Sequence, residues 1–446
     1  MSEFRNWSGD FTCNPRQILF PSSEAEVAQV IAKAHDEGAS VKVVGAGHSW
    51  SDIACTSGYL LRLDYLKRVI GVDHDNKQIT VQAGMRLREL NEIVAGYGLG
   101  VPSLGSISEQ SVAGVISTGT HGSGATFGNL ATLVVGLRLV VASGEVLDID
   151  ANHELFSAAR ISLGSLGVIT RVTLQLEPAF RLEEKVIPLR FDDALEHMDE
   201  FLDNNEHCKF WWVPHTDWIR VCTLNRTKKP PTRAPARVRQ IEGLARLFGR
   251  DIDFATGADD FLNETVYPAL LGLSRAAPPL TTRINQVIRK ALAVPSHRVA
   301  RSDKLFNLTM PPIHRETEYG IPRECAQAAV VELREIIRRN NLYVNFIVEV
   351  RFTAADDIMI SGANGRQSCQ LGAYIGECAS RAPYFAGFEQ MCLGMGGRPH
   401  WGKEFSADTD TLRKVNPHLS EFDDIRRRLD PDGRFENAFT RRVFGE

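Results

Sequence analysis

What this 446-residue chain lacks bounds its chemistry first. It has no charge excess: 51 Lys and Arg against 55 Asp and Glu leave a formal −4, too weak a field to gather nucleic acid. Its eight cysteines, at 13, 55, 208, 222, 325, 369, 378 and 392, contain no CxxC pair. That spacing excludes the usual zinc site and a disulfide scaffold, so no metal is expected and most of the cysteines are read as buried thiols. No run of about eighteen uncharged apolar residues occurs, and the opening MSEFRNWSGDF has no apolar h-region. The expectation is a cytosolic protein without a spanning helix. No internal repeat is present, and the length exceeds one ordinary core, so two or three domains are expected.

What is present begins with VVGAGHS at 43–49. An apolar strand ending in Val44 runs into Gly45, Ala46 and Gly47, whose bare backbone N–H groups can approach a pyrophosphate closely. His48 and Ser49 follow, placing an imidazole beside the bound group. The dinucleotide fingerprint GxGxxG would need a glycine at position 50, where this chain has Trp50, so a Rossmann reading fails.

Around this turn the pattern is mixed α and β. Ser22 and Ser23 precede a helix with apolar Val27, Val30, Ile31 and Ala34, closed by Gly38. Strands follow at YLLRL, KRVIGV and QITVQAG, then a helix RLRELNEIVAGYG and a hairpin LVVGLRLVVASGEVLDI. In VITRVTLQLEP apolar and polar residues alternate up to Pro178, where a first domain is expected to end. Beyond it lie an aromatic strand KFWWVPH, a basic proline-rich stretch KKPPTRAPARVRQ read as a solvated loop, and a helix IPRECAQAAVVELREIIRRN with Pro322 early in it. The apolar VYPALLGLSRA at 266–276 is read as packing in preference to membrane contact.

Four segments carry chemistry. VVGAGHSWSDIACTSG is the first. LGSISEQSVAGVISTGTHGSG at 104–124 is the second, rich in glycine and in hydroxyls suited to phosphate and ribitol oxygens. In VNFIVEVRF at 344–352, strand alternation puts Glu349 and Arg351 on one face, with Phe346, Val348 and Val350 on the other. Such a pair can orient a polyol-like substrate. GGRPHWGKEF at 396–405 places Lys403 where it could offset negative charge on an electron-accepting ring.

Together these segments resemble the vanillyl-alcohol-oxidase flavoprotein superfamily, and within it the aldonolactone oxidases of the gulonolactone and arabinonolactone type. HSWSDIACTSG, LGSISEQSVAGVISTGTHGS, RPHWGK and the tail LDPDGRFENAFTRRVFG carry the resemblance, over roughly 17–178 and 320–446, with the middle weaker. It implies an α+β, two-domain fold: an FAD-binding domain of the PCMH type at 1–178, a substrate (cap) domain built on an antiparallel sheet at 179–398, and a C-terminal segment 399–446 returning to the flavin. It implies covalent FAD on His48 through the 8α-methyl. Further FAD contacts are carried over to Val44, Gly45, Ala46, Gly47, Ser49, Gly105, Ser106, Ser111, Gly114, Thr118, Gly119, His121, Ile169, His400 and Lys403.

The implied reaction is oxidation of an aldono-1,4-lactone at C2 by hydride transfer to flavin N5, with Glu349, Arg351 and Lys403 as the catalytic residues. The product is a keto-lactone that tautomerises to an enediol. A small residue at Gly105 is associated in the family with access of O2 and peroxide formation, so an oxidase is favoured over a dehydrogenase. The rivals are an alditol oxidase, which shares HS, SVAG, TGTHGSG and HWGK, and a flavin-bearing carbohydrate-binding protein without turnover, which would have lost Glu349, Arg351 or Lys403. Tyr374 is expected to be a substrate-side residue that does not settle the choice. Which lactone is preferred, the proton acceptor and the oligomeric state are not read from the sequence.

Overall fold

A computed structural model describes residues 3–232, 266–308 and 312–445. The N-terminal part is built on two sheets. A three-stranded parallel sheet has Tyr59–Arg62 between Gln17–Leu19 and Val41–Val44. The helix Glu24–Asp36 packs beside it because Val27, Ile31 and Ala34 recur at helical spacing and are fully buried. Ser23 caps it by accepting from the Glu26 N–H, and Gly38 ends it in the left-handed region at φ +60°. The second sheet is antiparallel, in the order Val146–Asp150, Val134–Val140, Val168–Gln175, Gln78–Gln82, Val69–Asp73. Val172, Leu174 and Leu176 are buried while Arg171, Thr173 and Gln175 are half-exposed, as the alternation requires. Instead of stopping short of Pro178, the chain pairs Glu177–Pro178 with Leu99–Gly100. A proline has no N–H to give, which restricts it to such a brief edge pairing.

The largest element is an eight-stranded antiparallel sheet, ordered Ser296–Arg301, Arg181–Arg190, Trp218–Thr227, His207–Trp212, Val348–Thr353, Ser368–Ile375, Arg315–Pro322, Arg398–Pro399. One face is covered by helices: Phe191 meets Trp212 edge-on at 5.3 Å, and Phe201 and Phe352 both meet Phe210. Val348, Val350 and Phe352 point to that face and are buried, so Glu349 and Arg351 turn to the other. Phe346 differs from its expected placement. It lies before the strand proper, in a bend, and its ring stacks on His314 at 4.7 Å on the Glu349 side. Pro322 likewise ends a strand and precedes the helix Ala326–Arg339 instead of standing early within it, consistent with its lacking a donor to continue either element.

The C-terminal helices Thr409–Val415, Leu419–Leu429 and Ala438–Phe444 return to the N-terminal sheet. The Val41 N–H donates to Arg434 O, and the buried Lys42 Nζ donates to Gly164 O and Phe435 O. Asn437 Nδ2 donates to the carbonyls of Asp52, Ile53 and Cys55. The tail thereby fixes the loop that follows His48. Four cysteines, at 208, 222, 369 and 392, are buried and four half-buried, and all are free. No helix among the described residues is long and apolar enough to cross a membrane. The basic stretch lies outside the described residues beyond Thr232.

Candidate active site

A groove of about 120 Å³ and a cavity of about 740 Å³ meet at His48, Ser49, Gln110 and Thr118. Val44, Gly45, Ala46, Gly47, Ser111, Gly114 and Ile169 line the groove. Small residues are favoured here: a Cβ at Gly45 would displace the Ser111 hydroxyl that accepts from the Gly114 N–H, and Gly47 holds φ +71°. Two donors face the groove with nothing to bind. Arg86 Nη1 and Ser51 Oγ are buried and unpartnered, although Arg86 Nη2 is anchored on Asp64 Oδ1 at 2.7 Å. A bare backbone turn beside an unspent guanidinium fits a pyrophosphate. Neither Arg86 nor Ser51 stood out in the sequence, since an arginine at a helix start carries no signal of its own.

Gly105, Ser106, His121, Glu349, Arg351, His400 and Lys403 line the cavity, and Gly119 borders a separate small void with Thr118, His121 and His400. Several residues carried over as cofactor contacts therefore stand on the cavity side of the junction. His48 lies at the junction itself, its ring 5.4 Å from that of Trp7. Burial, with Lys403 and Arg86 nearby, pushes its pKa down to about 4.

The cavity floor is a chain of charges. Arg351 Nη2 donates to Glu318 Oε1 at 3.0 Å and Oε2 at 3.3 Å, and Arg351 Nε lies 3.3 Å from Glu349 Oε2 without a hydrogen bond. Glu349 accepts from Trp211 Nε1 and from the Tyr374 hydroxyl, each at 2.7 Å. Burial would raise the Glu349 pKa, but Arg351 and Lys209 outweigh it and hold the carboxyl below its ordinary value. Glu318, also 2.8 Å from His121 Nε2, is held well below by Arg351 and His121 against the same burial. Lys403 pairs with Glu316, lies 4.0 Å from Glu318 and sits 4.1 Å from the Trp50 ring. Against burial, Lys403 brings Glu316 down to about 2. Burial also pushes His400 down to about 3.

His121, Glu318 and His400 bring possible ligand atoms within 4.8 Å of one another. The guanidinium of Arg351 already occupies the cation position beside Glu318. Glu316 and Glu318 were missed by the sequence reading. They alternate on the strand Arg315–Pro322 in the row RETEYGIP, where nothing marks them as more than ordinary strand carboxylates. The helix Tyr267–Ala276 closes the outer side, with Tyr267 stacked on Phe346 at 4.9 Å and Leu270 in the lining.

The same architecture occurs in solved cholesterol oxidases. The solvent-stable enzyme superposes with a TM-score of 0.80 at 18% identity, covering 99% of this chain and 97% of the other. The Brevibacterium sterolicum enzyme gives 0.79 at 15%, covering 99% and 96%. Residues 15–150 match the FAD binding domain family and residues 172–443 the D-arabinono-1,4-lactone oxidase family. L-gulono-1,4-lactone dehydrogenase of Mycobacterium tuberculosis is 37% identical over 99% of this chain and 98% of its own. L-gulonolactone oxidase of Bos taurus is 36% identical over the same shares. D-arabinono-1,4-lactone oxidase of Kluyveromyces lactis is 28% identical over 95% and 89%.

The family matches define a flavin-dependent oxidoreductase with FAD as its cofactor, and the fold agrees with them. Within that class, the chain belongs to the D-arabinono-1,4-lactone oxidase family.

Proposed function

We propose that this protein oxidises an aldono-1,4-lactone, L-gulono-, L-galactono- or D-arabinono-1,4-lactone, at C2, giving ascorbate or an analogue, with O2 as final acceptor and H2O2 as co-product. The reading is carried by the buried Glu349–Arg351 pair, set on the cavity side of a groove suited to a dinucleotide. FAD, when bound, supplies the hydride acceptor at N5. Residues 1–178 would hold it, 179–398 the substrate, and 399–446 would return Lys403 to the junction.

Arg351 lines the cavity with its Nε toward Glu349 and its Nη2 on Glu318, which leaves a guanidinium N–H in the lining to meet a substrate oxygen. As C2–H breaks and the C2 hydroxyl loses its proton, charge develops on that oxygen, and a guanidinium already aimed at it stabilises the change. Glu349 accepts from substrate hydroxyls and fixes the ring. The donors on it lower its basicity, so it orients the substrate and is a poor proton acceptor. Lys403, held by Glu316, places positive charge beside the junction, where negative charge accumulates. Family similarity assigns His48 to the 8α bond, and its low pKa leaves a neutral ring nitrogen for it. Free thiols support a reducing, cytosolic setting.

A second reading, a dehydrogenase that hands electrons to another acceptor, is favoured by one observation: a 37% identical relative bears that name. The test is anaerobic mixing of the yellow holoenzyme with L-gulono-1,4-lactone, D-arabinono-1,4-lactone and xylitol, then air. Loss of colour with lactone and quick return with peroxide supports the oxidase. Colour that stays lost in air means the dehydrogenase, and a response to xylitol alone overturns the lactone reading.

A further inference from the structure

The outer wall of the cavity carries cations that make no direct contact with the lactone-site carboxylates, although Lys209 acts on Glu349 through its charge. Lys209, Trp211 and Arg220 share the cavity face of the large sheet. Trp211 stands opposite Glu349 in one ladder and opposite Arg220 in the next, and Lys209, two residues along the strand from Trp211, points the same way. Lys209 Nζ lies 4.9 Å and Arg220 Cζ 5.2 Å from the centre of the Trp211 ring. The carboxylate on this wall is taken: Arg298 Nε donates to Glu184 Oε2 at 2.8 Å and the Cys222 thiol to Oε1 at 3.5 Å.

Among the described residues, neither Lys209 nor Arg220 has a carboxylate in ion-pair contact or a hydrogen-bond partner, and Arg220 Nε is buried and unpartnered. Lys209 is only 8% exposed. The buried carboxylates of Glu349 and Glu184 feel the Lys209 charge without touching it, and the Trp211 ring takes none of its N–H donors as a full hydrogen bond. An ammonium with three unspent donors, buried against a cavity, is complete once an anion enters.

We propose that Lys209 and Arg220 form an anion subsite, so that the cavity also takes, and prefers over the neutral aldono-1,4-lactones, a 1,4-lactone whose terminal carbon carries a carboxylate or a phosphate. The inference rests on the reading of the inner cavity as the lactone site. Neighbouring strands stand about 4.8 Å apart, so in this register Lys209 lies one strand from Arg351, about 5 Å, and Arg220 two strands from Glu349, about 10 Å. The side chain on C4 leaves the ring on the side away from C2, so a lactone with C2 at Arg351 can direct its terminal group along this wall. A cavity of about 740 Å³ has room for the extension.

The test compares holoenzyme kcat/KM for neutral L-gulono-1,4-lactone, for glucaro-1,4-lactone, which ends in a carboxylate, and for a 6-phospho-aldono-1,4-lactone. At least one anionic lactone is expected to exceed the neutral one by about tenfold at low salt, an advantage that shrinks as salt rises. Which of the two it is separates a sugar acid from a sugar phosphate. Lys209→Met and Arg220→Gln should each lower the anionic-to-neutral ratio by about tenfold, and Lys209→Arg should retain most of it. Inorganic phosphate should bind the wild type competitively with neutral lactone and more weakly to Lys209→Met.

Equal or better use of the neutral lactone overturns the subsite while leaving the lactone reading intact. So does an equal loss on all three lactones in Lys209→Met, which would mean that the lysine only props Trp211. If no lactone is turned over, the lactone reading falls. The subsite is then decided by phosphate binding, and binding unchanged in Lys209→Met overturns it.

Discussion

Arg351 and Glu318 meet from strands that are not neighbours in the sheet, with Nη2 3.0 Å from Oε1, and the guanidinium reaches across to Glu349 at 3.3 Å. Two buried carboxylates and the His121 carbonyl, which accepts from Nη1 at 3.4 Å, thus hold one guanidinium in a fixed plane on the cavity lining. Replacing Arg351 by Lys keeps a charge but loses the fork. The expected result is a fall in kcat of about 10²–10³, read by rapid anaerobic mixing with lactone. Glu318→Gln, which loosens the guanidinium without removing it, should cost less, about tenfold.

The Tyr374 hydroxyl donates to Glu349 Oε2 at 2.7 Å. In Tyr374→Phe the carboxylate loses a buried donor, so its pKa rises and its orientation slackens. An expected loss of about 1–2 kcal/mol, roughly tenfold in kcat/KM, should appear chiefly in KM, since the residue positions substrate and does not meet the charge formed at C2. Steady-state kinetics on neutral lactone separate the two parameters.

How far the site was legible follows from what each residue signals locally. The place of Gly45, Ala46, Gly47 and His48 along the groove was legible because a run of small residues after an apolar strand leaves a bare backbone turn. Glu349 and Arg351 were legible because period-two alternation fixes a shared face. Glu316 and Glu318 obey the same alternation but were not singled out, since their meaning comes from Lys403 and Arg351, far away in sequence. Trp50 was read only as a missing glycine. In the structure its indole donates to His314 O at 2.9 Å and carries Lys403 over its ring. Phe346 was assigned to the wrong face because alternation was extended past the point where the strand begins.

Glu316 ties acid stability to the site. Its folded pKa, about 2, lies below its ordinary value of 4.5. Its contribution is therefore full above about pH 4.5 and is lost as pH falls through about 2. Glu316→Gln should be less stable than the wild type at pH 7, by about 3 kcal/mol for a broken buried pair. The gap should narrow steadily below pH 4.5. Denaturant melts at pH 7, 4 and 3 check this, and a gap that does not change with pH contradicts the low pKa.

His48 is predicted to bear the flavin. His48→Ala should yield a protein that still folds, because the ring is half-exposed at the junction and its neighbours Trp7 and Trp50 pack against each other at 5.6 Å. Its yellow colour should pass to the supernatant on acid precipitation, whereas the wild type should keep it in the pellet. Colour retained by the variant pellet would move the bond to another residue.

Gly105 bears on what happens to the electrons. It lines the cavity near the junction, and a Cβ there would stand 3.2 Å from His121 O and 3.3 Å from Thr120 Cγ2. Those contacts are tight but not prohibitive, so Gly105→Ala should fold with small local shifts and put a methyl where the oxidase reading needs open space. The rate of reduction by lactone without air should change little, because the His121 carbonyl that the methyl would meet is only a long acceptor for Arg351 Nη1, at 3.4 Å, while Glu318 holds the guanidinium at 3.0 Å. Reoxidation by O2 should slow by about tenfold or more, while an artificial acceptor too large to enter beside Gly105 should be affected far less. The ratio of the two reoxidation rates is the diagnostic quantity, since a general distortion of the site lowers both. If that ratio does not move, oxygen reaches its electrons by a route that avoids Gly105, and the glycine serves only the close approach to His121 and Thr120.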